Sequence, residues 1–272
     1  MTVSRIDTRF ADLKRANKAA FVAYIMAGDP DLETSFQTLK GLPAAGADLI
    51  ELGFPFSDPM AEGPTIQRAA ERSLKNGTKI AHVFELVKRF REQDQTTPII
   101  LMGYMNPVEN RGYDGWAQAM AECGADGLIV VDCPPEEAGE LTDALDAHDL
   151  ALIRLATPTT NASRLETLVR RTRGFIYYVS VTGVTGVKEA DAAGVADQVQ
   201  RVREAAKLPV AVGFGIRTPQ RAAEVARVAD AAVVGSALVD EINTSLLENV
   251  AADTKVLEKA AILAKAVHSA RE

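Results

Sequence analysis

Eight short apolar runs recur along this chain, each followed by a longer segment, most of them of helical period, and that alternation constrains the fold more than any other feature. The runs are Phe21–Met26, Asp48–Gly53, Ile99–Met102, Gly127–Val131, Leu150–Ala156, Phe175–Val179, Val210–Gly213 and Ala231–Val234. They are nearly unbroken in apolarity, as parallel strands are when helices cover their outer face. Between them the spacing predicts helices over Leu32–Ala45, Ala81–Glu92, Pro135–Ala147, Arg164–Arg171 and Ala196–Ala206, with a last one over Thr254–Ser269. Eight βα units point to an α/β fold, a single (β/α)8 TIM barrel over residues 1–272 with an extra N-terminal helix. Period alone does not show closure, so a doubly wound open sheet is the alternative topology.

A weak internal repeat supports the units. Ala45-Gly46-Ala47-Asp48, Cys123-Gly124-Ala125-Asp126 and Val228-Ala229-Asp230 each lead into a strand. Gly46 and Gly124 fall where a helix ends and a left-handed residue is needed. Pro98 and Pro209 stand just before strands, where a missing N–H costs little.

The formal charge of −7 argues against unaided binding to nucleic acid or an anionic membrane, but leaves room for a phosphate held by local positive potential. Met1–Phe10 carries Arg5, Asp7 and Arg9 and has no apolar core of a signal peptide, and no run is long enough to span a membrane. The two cysteines, Cys123 and Cys133, form no C-x-x-C pair, so neither a disulfide framework nor a zinc site is expected. A reducing, cytoplasmic setting follows as the expectation.

Glu51 is the most informative residue. It lies among Leu49, Ile50 and Leu52 near the C-terminal end of the second strand, the end at which such barrels build their sites. Desolvation there raises a carboxyl pKa and suits it to proton transfer near neutrality. A buried structural ion pair is the equally weighted alternative. The following loop, Gly53 to Pro64, is long for its type and adds Asp58 and Glu62. Asp58 reads more readily as a turn residue before Pro59; Glu62 divides evenly between a solvated residue ahead of a helix and a catalytic one.

Two glycine-bearing segments follow strands seven and eight: Gly213-Phe214-Gly215-Ile216 and Gly235-Ser236-Ala237. Loops at those two positions, with a short helix here expected over Ser236–Glu241, commonly hold phosphate through backbone N–H groups. The segment from Ser180 through Thr185 and Gly186 to about Gly194 has the composition of a mobile lid or of an idle surface loop. His82, His148 and His268 lie away from strand ends and suggest neither a triad nor a metal site; Lys188 and Lys207 lie outside strands and suggest no Schiff base.

Glu51-Leu52-Gly53-x-Pro55-Phe56-Ser57-Asp58-Pro59, then Gly63-Pro64-Thr65-Ile66-Gln67, resembles the signature of the tryptophan synthase α chains. The resemblance runs on through Ala27-Gly28-Asp29-Pro30, Tyr104-x-Asn106-Pro107, Gly183-Val184-Thr185-Gly186 and Gly213-Phe214-Gly215-Ile216, over essentially the whole chain. It implies a lyase that cleaves indole-3-glycerol phosphate to indole and glyceraldehyde 3-phosphate by retro-aldol chemistry. By resemblance Glu51 is the principal catalytic carboxylate, and Glu62 stands where the family usually has aspartate, one methylene shorter. Tyr24, Met102, Ile129, Tyr177, Thr185 and Phe214 would hold the substrate, and Gly186, Gly215, Gly235 and Ser236 its phosphate. Asp58 and Asp132 would serve communication between subunits. The resemblance further implies no cofactor or metal in this chain. It implies an α2β2 complex whose β chain carries pyridoxal phosphate and condenses the indole with serine. A docking face could include Pro59, Met60, Asn106, Pro107, Pro134 and Pro135. Two other readings are a different phosphate-handling barrel, such as a sugar-phosphate isomerase or epimerase, and a chiefly regulatory subunit.

Overall fold

The computed structural model describes residues 4–179, 192–213 and 215–272. Among them nine strands form one sheet: β1 Ala20–Met26, β2 Leu49–Gly53, β3 Ile99–Gly103, β4 Gly127–Val130, β5 Ala151–Leu152, β6 Arg154–Ala156, β7 Ile176–Val179, β8 Val210–Gly213 and β9 Ala231–Val234. Neighbours in the sheet run β5-β4-β3-β2-β1-β9-β8-β7-β6, every pair parallel. The predicted strand Leu150–Ala156 is thus two pieces. The Ala151 and Ile153 N–H groups donate to β4-side carbonyls of Asp126 and Leu128, and Arg154 then registers with Ile176 of β7. The interruption is a change of partner within one extended stretch. With it the ring comes round, and the fold is the TIM barrel expected above.

The helices are α1 Arg5–Arg15, α2 Leu32–Gly41, α3 Pro64–Lys75, α4 Ile80–Arg91, α5 Met105–Arg111, α6 Tyr113–Cys123, α7 Gly139–Asp146, α8 Ala162–Val169, α9 Ala192–Ala206, α10 Pro219–Val228, α11 Ser236–Glu248 and α12 Ala252–His268. Inward strand residues pack with one another: Val22, Leu49, Ile100, Ile129, Ile153, Phe175, Ala211 and Val233 fill the barrel. Their outward neighbours, such as Ile50, Leu52, Leu101 and Val212, pack under the helices. Ile6, Phe10 and Leu13 of α1 join the interior cluster, and Phe10 meets Phe175 at 5.7 Å, so this extra helix closes the N-terminal end of the barrel. Four helices differ from expectation by a turn or more: α2 ends at Gly41 and α9 starts at Ala192. The segment from Pro135 becomes helical only at Gly139, and α11 runs to Glu248 because Leu238, Val239, Ile242 and Ser245 continue its buried face.

The repeat has a physical reason. Asp48, Asp126 and Asp230 each take the N–H of a strand's first residues with Oδ2: Phe21 at 2.8 Å, Ile99 at 2.8 Å and Val210 at 2.9 Å. Each also returns its own N–H to that residue's carbonyl, at 2.9 Å in all three cases. The aspartate therefore pins the start of the preceding strand beside its own. Gly46 and Gly124 do adopt positive φ, 96° and 86°, as the chain turns into those aspartates.

Candidate active site

Side chains alternate along a strand, so residues two apart share a face. Leu49 belongs to the barrel interior while Ile50 and Leu52 face the helices; Glu51 therefore points inward, one layer nearer the mouth than Leu49. The same alternation turns Tyr24 of β1, Met102 of β3, Tyr177 of β7 and Val233 of β9 inward as well. Together with Glu51 they line a cavity of about 300 Å³ at the C-terminal ends of the strands. Glu62 and residues Gly63 to Ile66 form one wall, and Gly215, Ile216, Arg217, Gly235 and Ser236 the other.

Two glycines make the cavity's shape possible. A Cβ at Gly53 would collide with the Tyr24 hydroxyl, and one at Gly213 with the Tyr177 hydroxyl. The hydroxyl ends of both tyrosines lie over these bare backbone positions.

Glu51 is 1% exposed, and its Oε1 has no hydrogen-bond partner among the described residues. Burial, with a smaller push from the nearby Glu62 charge, raises its pKa to about 8. Burial also raises Glu62, to about 7. Tyr24 and Tyr177 are pushed well above the usual phenol range, first by burial and then by the two carboxylates they face. No Arg or Lys within 4.0 Å neutralises either acid among the described residues, so the ion-pair reading of Glu51 is excluded there.

Glu62 reaches the cavity because its loop is tied down. Phe56 stacks on Tyr104 at 5.2 Å, and the Tyr104 hydroxyl accepts the Ala61 N–H at 3.0 Å. The Gln67 amide donates to the Glu62 carbonyl at 2.9 Å, and Gly63 then caps α3 with Pro64 in its first turn. Asp58 points elsewhere: it is exposed and accepts the Ser57 hydroxyl, the turn role allowed above. Asp132 likewise stays outside the cavity and accepts the Met105 N–H at 2.8 Å, which fixes the start of α5.

The opposite wall is built for an anion. Gly235 caps α11, so the first N–H groups of that helix open toward the cavity. Gly215 adopts φ +75°, with nothing within 4 Å of where a Cβ would stand. Sequence reasoning did not anticipate Arg217, Thr65 or Asp240. Arg217 Nη1 and the Thr65 hydroxyl both donate to Asp240 of α11, at 2.8 and 2.9 Å, joining the walls. A lone arginine two residues after a phosphate-type glycine was the available signal.

Of the other expected residues, Ile129 does not line the cavity. It is fully buried in the interior cluster against which Met102 and Tyr177 pack, in register with Met102. Thr185, Gly186 and Phe214 lie outside the described residues. Among the described residues no group of three or more His, Cys, Asp or Glu is arranged to hold a metal ion. A larger cavity, about 590 Å³, opens at the barrel's other end near Lys14, Lys18 and Lys207. Its carboxylates include Asp230, already paired with Arg203.

Two carboxyls with no cation within 4.0 Å among the described residues thus face a helix N-terminus across one cavity. The model of the family described as tryptophan synthase alpha chain matches residues 10–268. The chain belongs to the tryptophan synthase alpha chain family. It is 69% identical over 271 residues to the tryptophan synthase alpha chain of Caulobacter sp. (strain K31), covering 100% of this chain and 98% of that one. The crystal structure of tryptophan synthase subunit alpha from Legionella pneumophila str. Paris superposes with a TM-score of 0.92 at 41% identity, over 98% of this chain and 99% of that one. A Mycobacterium tuberculosis tryptophan synthase structure gives 0.88 at 34% identity, over 98% and 99%. As a member of the tryptophan synthase alpha chain family, the protein is a carbon–carbon lyase. It cleaves indole-3-glycerol phosphate to indole and works with a β chain, to which pyridoxal phosphate belongs. No described helix is long and apolar enough to cross a membrane.

Proposed function

We propose that Glu51 and Glu62 divide the acid–base work of the cleavage. Glu51, protonated near neutrality, delivers its proton to indole C3 while ionised Glu62 takes the N1 proton. In the resulting indolenine, with its C2=N1 double bond, the bond from C3 to the side-chain carbinol carbon breaks. Its electrons restore the ring, and N1 recovers its proton from Glu62. The carbinol hydroxyl loses its proton to the Glu51 carboxylate as its carbon becomes the aldehyde of glyceraldehyde 3-phosphate. Both acids end as they began. The observation that carries this is the pair of desolvated carboxyls in one cavity, with pKa values of about 8 and about 7.

The indole lies among Tyr24, Met102, Ile129 and Tyr177. The phosphate lies against Gly215, Gly235 and Ser236, where a helix N-terminus favours an anion. By family resemblance Thr185 and Phe214 complete the ring pocket and Gly186 the phosphate site. Asp58 and Asp132, on loops of the same face, serve communication with the β chain in an α2β2 assembly. The chain forms one barrel domain over 1–272 and works in the cytoplasm, in line with two cysteines that form no disulfide.

Indole release and substrate-analogue binding test the assignment together. Glu51→Gln loses about 10²–10⁴-fold in turnover, the usual worth of a general acid–base group, with analogue affinity kept. Glu62→Asp stays active, and Glu62→Ala does not. Near-wild-type turnover in Glu51→Gln, or in Glu62→Ala, refutes the role of that residue.

A further inference from the structure

We propose that a second cavity, between the loop after β4 and helix α8, binds a small monocarboxylate with an apolar body, held by Arg154. Ile153 and Leu155 face the barrel interior, so Arg154 between them points outward, under the helices, where a cation finds little water. It is 7% exposed. Its Nη2 makes a long 3.3 Å bond to the Thr142 hydroxyl, and its Nε has no partner among the described residues. No carboxylate oxygen of those residues comes within 4.0 Å of it.

Arg91 shows what satisfaction looks like at the same depth. At 6% exposure it donates to the carbonyls of Gly124, Asp94 and Thr97 and pairs with Asp126 at 2.7 Å. A guanidinium buried without an anion is unfavourable, so a partner from outside the chain is favoured at Arg154 and not at Arg91.

Arg154 lines a cavity of about 370 Å³, within the size range of small-molecule sites, whose apolar walls include Val130, Pro134, Leu152 and Leu168. It shares no lining residue with the catalytic cavity. Its second arginine, Arg164, is already paired with Glu136, and Asp132 stands on the rim. Among the described residues Arg154 is the one lining cation with no carboxylate oxygen within 4.0 Å, and Asp132 on the rim repels a phosphate dianion more than a monoanion. A carboxylate fits the planar fork of one guanidinium, and the apolar walls take the rest of the molecule.

Cys133 lines the same cavity and reports occupancy, because the other cysteine, Cys123, is buried. The probe is benzoate, with benzamide as its neutral isostere. The rate of Cys133 alkylation by iodoacetamide is read by mass spectrometry. Benzoate should slow alkylation in the wild-type chain while benzamide does not. Arg154→Met should weaken that protection by about tenfold or more, the scale of one charge-assisted hydrogen bond. Absence of protection, equal protection by benzamide, or full protection retained in Arg154→Met overturns the proposal. Should Arg154→Met fail to fold, the wild-type comparison of benzoate with benzamide decides by itself.

Discussion

Replacing Glu51 by glutamine removes an acid that folding keeps protonated, so the variant should gain stability over the wild-type chain as pH rises. Unfolded, the carboxyl titrates near its ordinary 4.5; folded, it holds its proton to about 8. Between those values the folded chain binds one proton more than the unfolded chain. Wild-type stability therefore falls by about 1.36 kcal/mol per pH unit, and the loss is complete only above the folded pKa. From pH 5 to pH 7 that amounts to about 3 kcal/mol, a large part of a typical domain's net stability. The buried amide has its own cost, but that cost does not vary with pH. Glu62 is present in both chains and largely cancels. Urea unfolding of both proteins at pH 5, 6, 7 and 8 reads the difference directly. A stability difference that stays flat across this range refutes the claim that Glu51 is a desolvated acid.

The same pair predicts a narrow bell in the pH dependence of kcat/KM. The rate rises as Glu62 ionises, near 7, and falls as Glu51 loses its proton, near 8, with the two apparent values belonging to the pair. A profile level from pH 6 to 9 contradicts it. Gly213→Ala should lower turnover and cost about 1–3 kcal/mol of stability, because its Cβ collides with the Tyr177 hydroxyl. Tyr177→Phe in that background should recover part of the loss in unfolding measurements, and no recovery would show that the ring is not what Gly213 accommodates.

Glu51 was legible in the sequence because period two settles which way a strand residue points once Leu49 and Ile50 are assigned to opposite faces. The eight units were legible for the same reason, and their closure was not: it depends on Ile153, where one extended stretch changes partners. The place of Glu62 could not be read from its own loop, since it depends on Tyr104, 42 positions away by number, holding the Ala61 N–H. Ile129 faces the barrel interior as alternation along β4 implies, but that it stands level with Met102 is fixed only by the pairing of β4 with β3. Arg217 and Asp240 escaped notice because neither belongs to a motif; their importance comes from joining two loops that meet only in space. The Asp48, Asp126 and Asp230 repeat was visible as a pattern, yet its work of pinning strand starts appears only when the preceding strand lies alongside.

The claim on which the mechanism rests is that Glu51 carries a proton at neutral pH. The infrared difference spectrum of wild-type against Glu51→Gln shows this directly through the carbonyl stretch of a protonated carboxyl. That band should be present at pH 7 and fade as pH rises past the value of about 8 set by burial. A spectrum with only the ionised carboxylate signal at pH 7 contradicts the account.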